Sequence, residues 1–388
     1  MLAPGFTRDI LASDMSSALV NIAHSFSASP DIVNIAHSFS ASPDIEGRRR
    51  LFQLHATAAR IMRDERVATC GRRSIFSHVD VRCGDRASFG GVETCGSVWM
   101  CPKCASRIAE GRRQEIRALA DQHCRSGGAI YMAAFTIPHQ AWDRLDVRDA
   151  EGKRTDQGLL GAISKSWSKM ISGRAWQREY EKAGCSGGVR ALEVTHGRNG
   201  WHPHLHAVFF LSSDDAAAEF GVFLFERWAR IVQRMGFGDC NANIWRFEKA
   251  ANYDAVTDYV VKGNFDMELT RGHMKLAKGG GRSPWQLLAD ARLGDNRAVW
   301  LFREFATAFK GARQLTWFGD LREARSDLDI ASAEESSPII GRISRRAFST
   351  IHARGVACDV LEAAERGGWG AVLEFLAGEG ICPDLKST

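Results

Sequence analysis

Short apolar runs separated by polar and glycine-rich breaks organise the middle of the chain. Ala129–Ile137 (AIYMAAFTI), closed by Pro138, predicts a buried strand. Val189–His196 and Trp201–Leu211 flank a turn at Gly197-Arg198-Asn199-Gly200 and predict a pair of strands. Apolar positions three and four apart predict helices over about Ala105–Cys124, Leu159–Lys182 and Asp214–Met235. A further helix is expected over Asn252–Lys262, stopped by Gly263, and a strand near Ala242–Phe247. Ser126-Gly127-Gly128 breaks the chain, and the basic, glycine-rich residues 270–283 predict a linker or a phosphate-contacting loop. From Pro284 to the end the pattern is mostly helical.

These elements predict an α+β protein. Residues 126–270 hold most of the predicted strands, with helices between them. An Arg- and Cys-rich module over 51–125 precedes it, and a basic linker with a helical region over 271–388 follows. The first 50 residues read as a disordered tail. Within it VNIAHSFSASPDI runs from Val20 to Ile32 and is repeated from Val33 to Ile45. That period matches no solenoid repeat, and a functional reading as a histidine-bearing tag, through His24 and His37, is the less favoured one.

Composition changes this picture little. Of 388 residues, 45% are hydrophobic and 25% charged, ordinary for a globular protein. A formal net charge of +5 permits nucleic-acid binding without requiring it. No apolar stretch has the length of a membrane span or of a signal-peptide core, so a cytoplasmic protein without membrane partners is expected.

Ten cysteines are present, and Cys70, Cys83, Cys95, Cys101 and Cys104 cluster in the Arg-rich module. Without a secretion signal such a cluster suggests metal rather than disulfides. Cys101-x2-Cys104, stiffened by Pro102, can present two thiolates from one turn. With Cys70 and Cys95 it has the makings of a structural Zn²⁺ site. Cys83 is the reserve ligand, and His78 also lies nearby. Such a site would order the segment and present Arg72, Arg73, Arg107, Arg112 and Arg113 to DNA phosphates. A solvated helix face is the competing reading of those arginines.

Trp201-His202-Pro203-His204-Leu205-His206 is the most informative segment. Side chains alternate along a strand, so His204 and His206 share a face while Leu205 faces the other way. His202 lies on the same side but next to Pro203, and ranks below them as a ligand. If the turn closes around Arg198-Asn199, Glu193 lies opposite His204. If Asn199-Gly200 forms the two-residue turn that this dipeptide favours, Glu193 lies opposite His206. Either register keeps Glu193 on the histidine face, whereas a three-residue loop would flip it away. Two imidazoles and a carboxylate leave coordination positions open, which suits Mg²⁺ or Mn²⁺ gripping a phosphate oxygen. A zinc hydrolase is the competing metal reading, without a His-Glu-x-x-His helix to support it.

Four tyrosines are present, at 131, 180, 253 and 259. Tyr131 falls in a predicted buried strand and Tyr180 at the end of an amphipathic helix. On the 252–262 helix, Tyr259 and Lys262 are three apart and share a face. A cation beside a phenol favours the phenolate and can hold a phosphate. A packed aromatic beside a snorkelling lysine is the ordinary reading of that pair. The histidine strand upstream raises the reading of Tyr259 as a nucleophile.

Taken together, these segments resemble the replication initiators of rolling-circle plasmids, within the HUH endonuclease superfamily. The likeness is carried by Ala134-Phe-Thr-Ile-Pro-His139, Ala191-Leu-Glu-Val-Thr-His-Gly-Arg-Asn-Gly-Trp-His-Pro-His-Leu-His206, Tyr259-Val-Val-Lys262 and Cys95-Gly-Ser-Val-Trp-Met-Cys-Pro-Lys-Cys-Ala105. Ala312-Arg-Gln-Leu-Thr-Trp317 adds to it. The resemblance implies an HUH nuclease domain: an antiparallel sheet with helices on one side, His204 and His206 on a central strand, and the Tyr259 helix across the metal. It implies that Tyr259 attacks a phosphodiester in single-stranded or extruded origin DNA. The 5′-phosphate would become linked to tyrosine, and the free 3′-OH would prime a DNA polymerase. The chain has no G-x-x-x-x-G-K-[ST] loop, so a host helicase is the expected further partner.

Some relatives place a second tyrosine or a glutamate one helical turn before the nucleophile, where this chain has Ala255. Tyr253, six residues before Tyr259, lies roughly 120° off that face of an ideal helix. It is the second catalytic candidate, and Asp254 and Asp258 are nearby carboxylates. An HUH transposase or relaxase, or a non-enzymatic zinc-stabilised DNA-binding protein, are the alternative functions.

Overall fold

A computed structural model describes residues 45–261, 281–324 and 337–383. The tandem duplication up to Asp44, Lys262 and most of the basic glycine-rich stretch lie outside the described residues.

The protein is α+β. Its main sheet has five antiparallel strands: β3 (Ala129–Thr136), β4 (Cys185–Gly197), β5 (Gly200–Leu211), β6 (Phe247–Lys249) and β7 (Leu315–Gly319). Their order is β6-β3-β5-β4-β7, so the histidine-bearing β5 is central. A two-residue turn at Arg198-Asn199 joins β4 to β5, with Gly197 opposite Gly200. Gly200 has φ +76°, a conformation that costs a side-chain-bearing residue about 1–2 kcal/mol.

Period-2 alternation divides the side chains of this sheet between two apolar layers. On one face Val189, Ala191, Val208 and Phe210 pack with Ile116 and Leu119 of helix α2 (Pro102–Arg125). Val256 and Val260 of a short helix, Tyr253–Val261, complete that layer. On the other face Leu192, Leu205 and Phe209 pack against Ile163 and Trp167 of Leu159–Met170. Leu224 and Trp228 of Ala217–Arg234 lie in the same layer. Helices therefore cover both faces, not one.

A second antiparallel sheet, ordered β2-β1-β8, joins distant parts of the chain: β1 (His78–Cys83), β2 (Ala87–Gly90) and β8 (Ile339–Ser344). Val79, Val81 and Ile343 are fully buried against Phe348 and Ile351 of helix Arg345–Arg354 and Leu361 and Leu376 of helix Ala357–Gly378. Helix α1 (Ile45–Ile61) ties in through a two-pronged pair from Arg48 to Glu365 and through Arg49 to Glu362 at 2.8 Å.

Several expectations need correction. The 159–182 helix is two helices, because Gly173 at φ +83° interrupts it before Arg174–Lys182. The strand expected near Ala242–Phe247 is a 3-10 turn at Ala242–Ile244 followed by β6. The C-terminal part, read as mostly helical, contains β7 and β8, two sheet-edge strands of five and six residues. Such short segments carry too little alternation to register against helical neighbours.

Candidate active site and thiolate cluster

Pairing in the main sheet sets the polar site. Glu193 lies opposite His204 across β4 and β5, the register in which the turn closes around Arg198-Asn199. Glu193 Oε2 stands 3.3 Å from His204 Nε2 and 3.4 Å from His206 Nε2. One ligand atom from each of Glu193, His204 and His206 lies within 4.8 Å of the others, a grouping able to hold a metal ion. His206 is flanked across its two neighbouring strands by Ala134 and Ala191. Of these two small neighbours Ala134 is exposed, whereas Ala191 is buried beneath the helix layer.

Charge and burial oppose each other here. Burial pushes the Glu193 carboxyl up, but the His206 and His204 imidazoles pull harder and hold it at about 2. Burial lowers His204, and the bond to Glu193 outweighs this and raises it. His204 Nδ1 lies 3.2 Å from the carbonyl oxygen of His202. With the proton on Nδ1 donating to that oxygen, Nε2 is free to act as a ligand. Glu193 Oε1 and His206 Nδ1 are buried with no hydrogen-bond partner. An unmatched carboxylate oxygen beside two imidazole nitrogens fits a divalent cation.

Tyr259 reaches this group from its helix. Its ring meets that of His206 edge-on, with centroids 4.5 Å apart. Val256 and Val260 bury the neighbouring positions of the helix, and Asn252 Oδ1 accepts from the Ala255 N–H at 2.8 Å to cap its start. Burial raises the Tyr259 phenol, and the carboxylates of Glu193 and Glu248 raise it further. The phenol is therefore protonated unless positive charge is brought beside it.

Other sequence candidates lie elsewhere. His202 is outside the three-ligand group; its ring stacks 5.3 Å from His204 and lies 4.9 Å from His139. Burial, then His204 and His139, lower it to about 4. Tyr253 sits beside the Asp121 carboxylate of α2 instead of the Glu193 group. His139 carries no role in the sequence reading; its signal there is the short Pro-His end of the Ala129–Ile137 strand.

The second cluster is made of sulfur. Cys70, Cys95, Cys101 and Cys104 converge as a group able to hold a metal. Their Sγ–Sγ separations include 3.5 Å (Cys70–Cys104), 3.6 Å (Cys70–Cys101) and 3.7 Å (Cys95–Cys104). A tetrahedron with Zn–S bonds of about 2.3 Å has edges of about 3.8 Å, whereas a disulfide needs about 2.05 Å. The donor set thus fits zinc. Backbone N–H groups of Cys95 and Cys104 donate to Cys70 and Cys101 Sγ at 3.3 and 3.5 Å, and Cys101 caps α2 with Pro102 behind it.

The structure does not bring Cys83 to this group. It lies at the end of β1 with its Sγ 3.7 Å from the carbonyl of Ala364. His78, on the same strand, is 3.7 Å from Asp80. Arg107 is exposed and Arg72 half-buried. Arg73 pairs with Glu93 at 3.6 Å and Arg113 with Glu110 at 2.7 Å. Arg112 donates to Gln314 Oε1 at 2.5 Å, pinning α2 to the β7 edge.

The chain is 28% identical over 295 residues to a protein called Protein rep from Streptomyces lividans, a match covering 60% of this chain and 64% of that one. It is 34% identical over 133 residues to a Neomycin resistance protein from Streptomyces cyanogenus, covering 30% of each. It therefore spans just under two thirds of the one relative and under a third of the other. No family model matches the chain, and no solved structure matches it. Among the described residues no helix is long and apolar enough to cross a membrane.

Proposed function

We propose that the protein is a plasmid replication initiator of the HUH type, which nicks and rejoins single-stranded origin DNA through Tyr259. The observation that carries this reading is the Tyr259 ring meeting the His206 ring edge-on at 4.5 Å, with His206 itself in the Glu193–His204–His206 group. The name of the Streptomyces lividans relative supports a role in replication.

Glu193, His204 and His206 would hold a Mg²⁺ or Mn²⁺ ion, which when bound supplies positive charge to the phosphate oxygens and offsets the Glu193 carboxylate. His204 and His206 orient the phosphate-binding face, and the small, exposed Ala134 beside His206 leaves room for the phosphodiester. Tyr259, held by its buried helix, provides the nucleophilic oxygen. That oxygen forms an ester with phosphorus as the bond from phosphorus to the 3′ oxygen breaks. The phenol gives up one proton and the leaving 3′ oxygen takes one up, so the products are a 5′-phosphotyrosine and a 3′-OH. The ester retains the phosphodiester energy, and the strand can be rejoined by the reverse displacement. Lys262 is a proposed cation beside the phenol, Tyr253 a weaker second nucleophile, and Zn²⁺ the structural ion of the four cysteines. Host helicase and DNA polymerase would act on the exposed strand and its 3′-OH.

The test uses labelled single-stranded DNA from the parent replicon with Mn²⁺ or EDTA, resolved on denaturing gels. A protein–DNA adduct that survives boiling in detergent is expected for wild type with Mn²⁺. It should be absent with EDTA and for Tyr259→Phe. An adduct that persists in Tyr259→Phe rules out Tyr259 as the nucleophile. DNA binding without any adduct favours a zinc-stabilised, non-enzymatic DNA-binding protein.

A further inference from the structure

Next to the hairpin tip the chain makes a tight turn at Gln140–Asp143. The Gln140 N–H donates to Asp143 Oδ2 at 2.7 Å, and the Asp143 N–H donates to the Gln140 carbonyl at 3.1 Å. The turn is seated on the hairpin: a methyl group at Gly200 would meet the Ala141 carbonyl oxygen at 3.0 Å. On this braced turn Trp142 is 78% exposed, the most exposed large apolar side chain among the described residues.

An indole held in water gains nothing from burial, and the turn that carries it has already lost its backbone freedom. An exposed aromatic on a held backbone suits a planar partner, because little backbone ordering entropy remains to be lost on contact. Its surroundings select the partner. Gln140, Arg144, Arg198 and Asn199, at the turn and the neighbouring hairpin tip, are all exposed and polar. A protein surface docking there would meet charge around a single ring, whereas a nucleobase with its phosphates would stack on the ring and face the arginines.

The route to the metal group is short. His139, at the foot of the turn, lies 4.9 Å from His202, and His202 stacks 5.3 Å from His204. Along β5, Gly200 is about 13 Å from His204 at the usual rise per residue.

We propose that Trp142 is a stacking platform for a base of the single strand whose phosphate occupies the Glu193–His204–His206 site. This rests on the nuclease reading above. Trp142 would act on strand capture and positioning, not on the reacting atoms.

The test measures fluorescence anisotropy of fluorescein-labelled dT20 and of a fully abasic strand of equal length, with full-length wild type, Trp142→Ala and Trp142→Phe. Trp142→Ala should weaken dT20 binding about tenfold and leave the abasic strand unchanged, while Trp142→Phe keeps most of the affinity. Thermal melts check that both variants fold, as expected for an exposed side chain. Binding of dT20 within twofold of wild type by Trp142→Ala overturns the proposal. An equal loss on the abasic strand overturns it too, since charge rather than stacking would then be the cause. The adduct assay reports the parent reading separately. If wild type forms the adduct and Trp142→Ala binds normally, the platform alone fails. If the stacking loss appears but wild type forms no adduct, the nuclease reading fails and Trp142 remains a base-stacking residue.

Discussion

His352 couples stability to pH at the seam between the C-terminal helices and the cysteine module. Its ring packs against Phe348 at 4.6 Å and Phe89 at 6.5 Å, and its Nε2 is buried with no hydrogen-bond partner. Burial, then Lys103, Arg72 and His55, lower its pKa to about 3 from 6.5. The folded protein therefore keeps His352 neutral where the unfolded chain protonates it. Stability from this group is full above pH 6.5 and is lost as pH falls from 6.5 toward 3. Between pH 7 and pH 5 the unfolded state takes up nearly one more proton, a loss of roughly 2 kcal/mol. For a chain of this size that lowers Tm by roughly 2–4 °C. His352→Leu removes the titration and retains an apolar contact with the two phenylalanines. Melts followed by circular dichroism at pH 7, 6 and 5 should show a shallower decline for the variant than for wild type. Comparing the two cancels other histidines, including His55, which burial also lowers. Parallel declines within about 1 °C would refute the reasoning, since His352 would then titrate alike in both states.

Three other outcomes follow from the two clusters. Because Glu193 holds the His204 proton above its ordinary range, acidification from pH 8 to pH 6 should weaken Mn²⁺ binding in calorimetry, and Glu193→Ala should weaken it at least tenfold at pH 8; an unchanged Kd for the variant would remove Glu193 from the ligand set. Cys101→Ser should lose most of the bound zinc by elemental analysis and lower Tm by several degrees, whereas Cys83→Ser should keep the zinc. Ala134→Leu should crowd the exposed side of His206 and cut adduct yield at least tenfold, with stability changed by no more than about 0.5 kcal/mol because residue 134 is exposed.

What was legible in the sequence was local. Strand alternation put His204 and His206 on one face, and a two-residue turn added Glu193 to it, because side chains point to opposite faces with a period of two. The Cys101-x2-Cys104 spacing alone announced a thiolate turn, since both ligands come from one stretch of backbone. The tertiary structure decided what depends on contacts between distant segments. Packing at the hairpin tip, where Gly200 abuts Ala141, accompanies the register with Glu193 opposite His204, and not the Asn199-Gly200 turn that this dipeptide by itself favours. The identity of the fourth sulfur rested on where β1 goes: its pairing with β8, across more than 250 residues of sequence, carries Cys83 to Ala364 and leaves Cys70 with the knuckle. Tyr253 and Tyr259 share one short helix, and only the packing of Val256 and Val260 on the sheet turns Tyr259 toward His206 and leaves Tyr253 beside Asp121. Such choices follow from burying apolar surface between whole elements, and a local pattern of residues does not encode which elements meet.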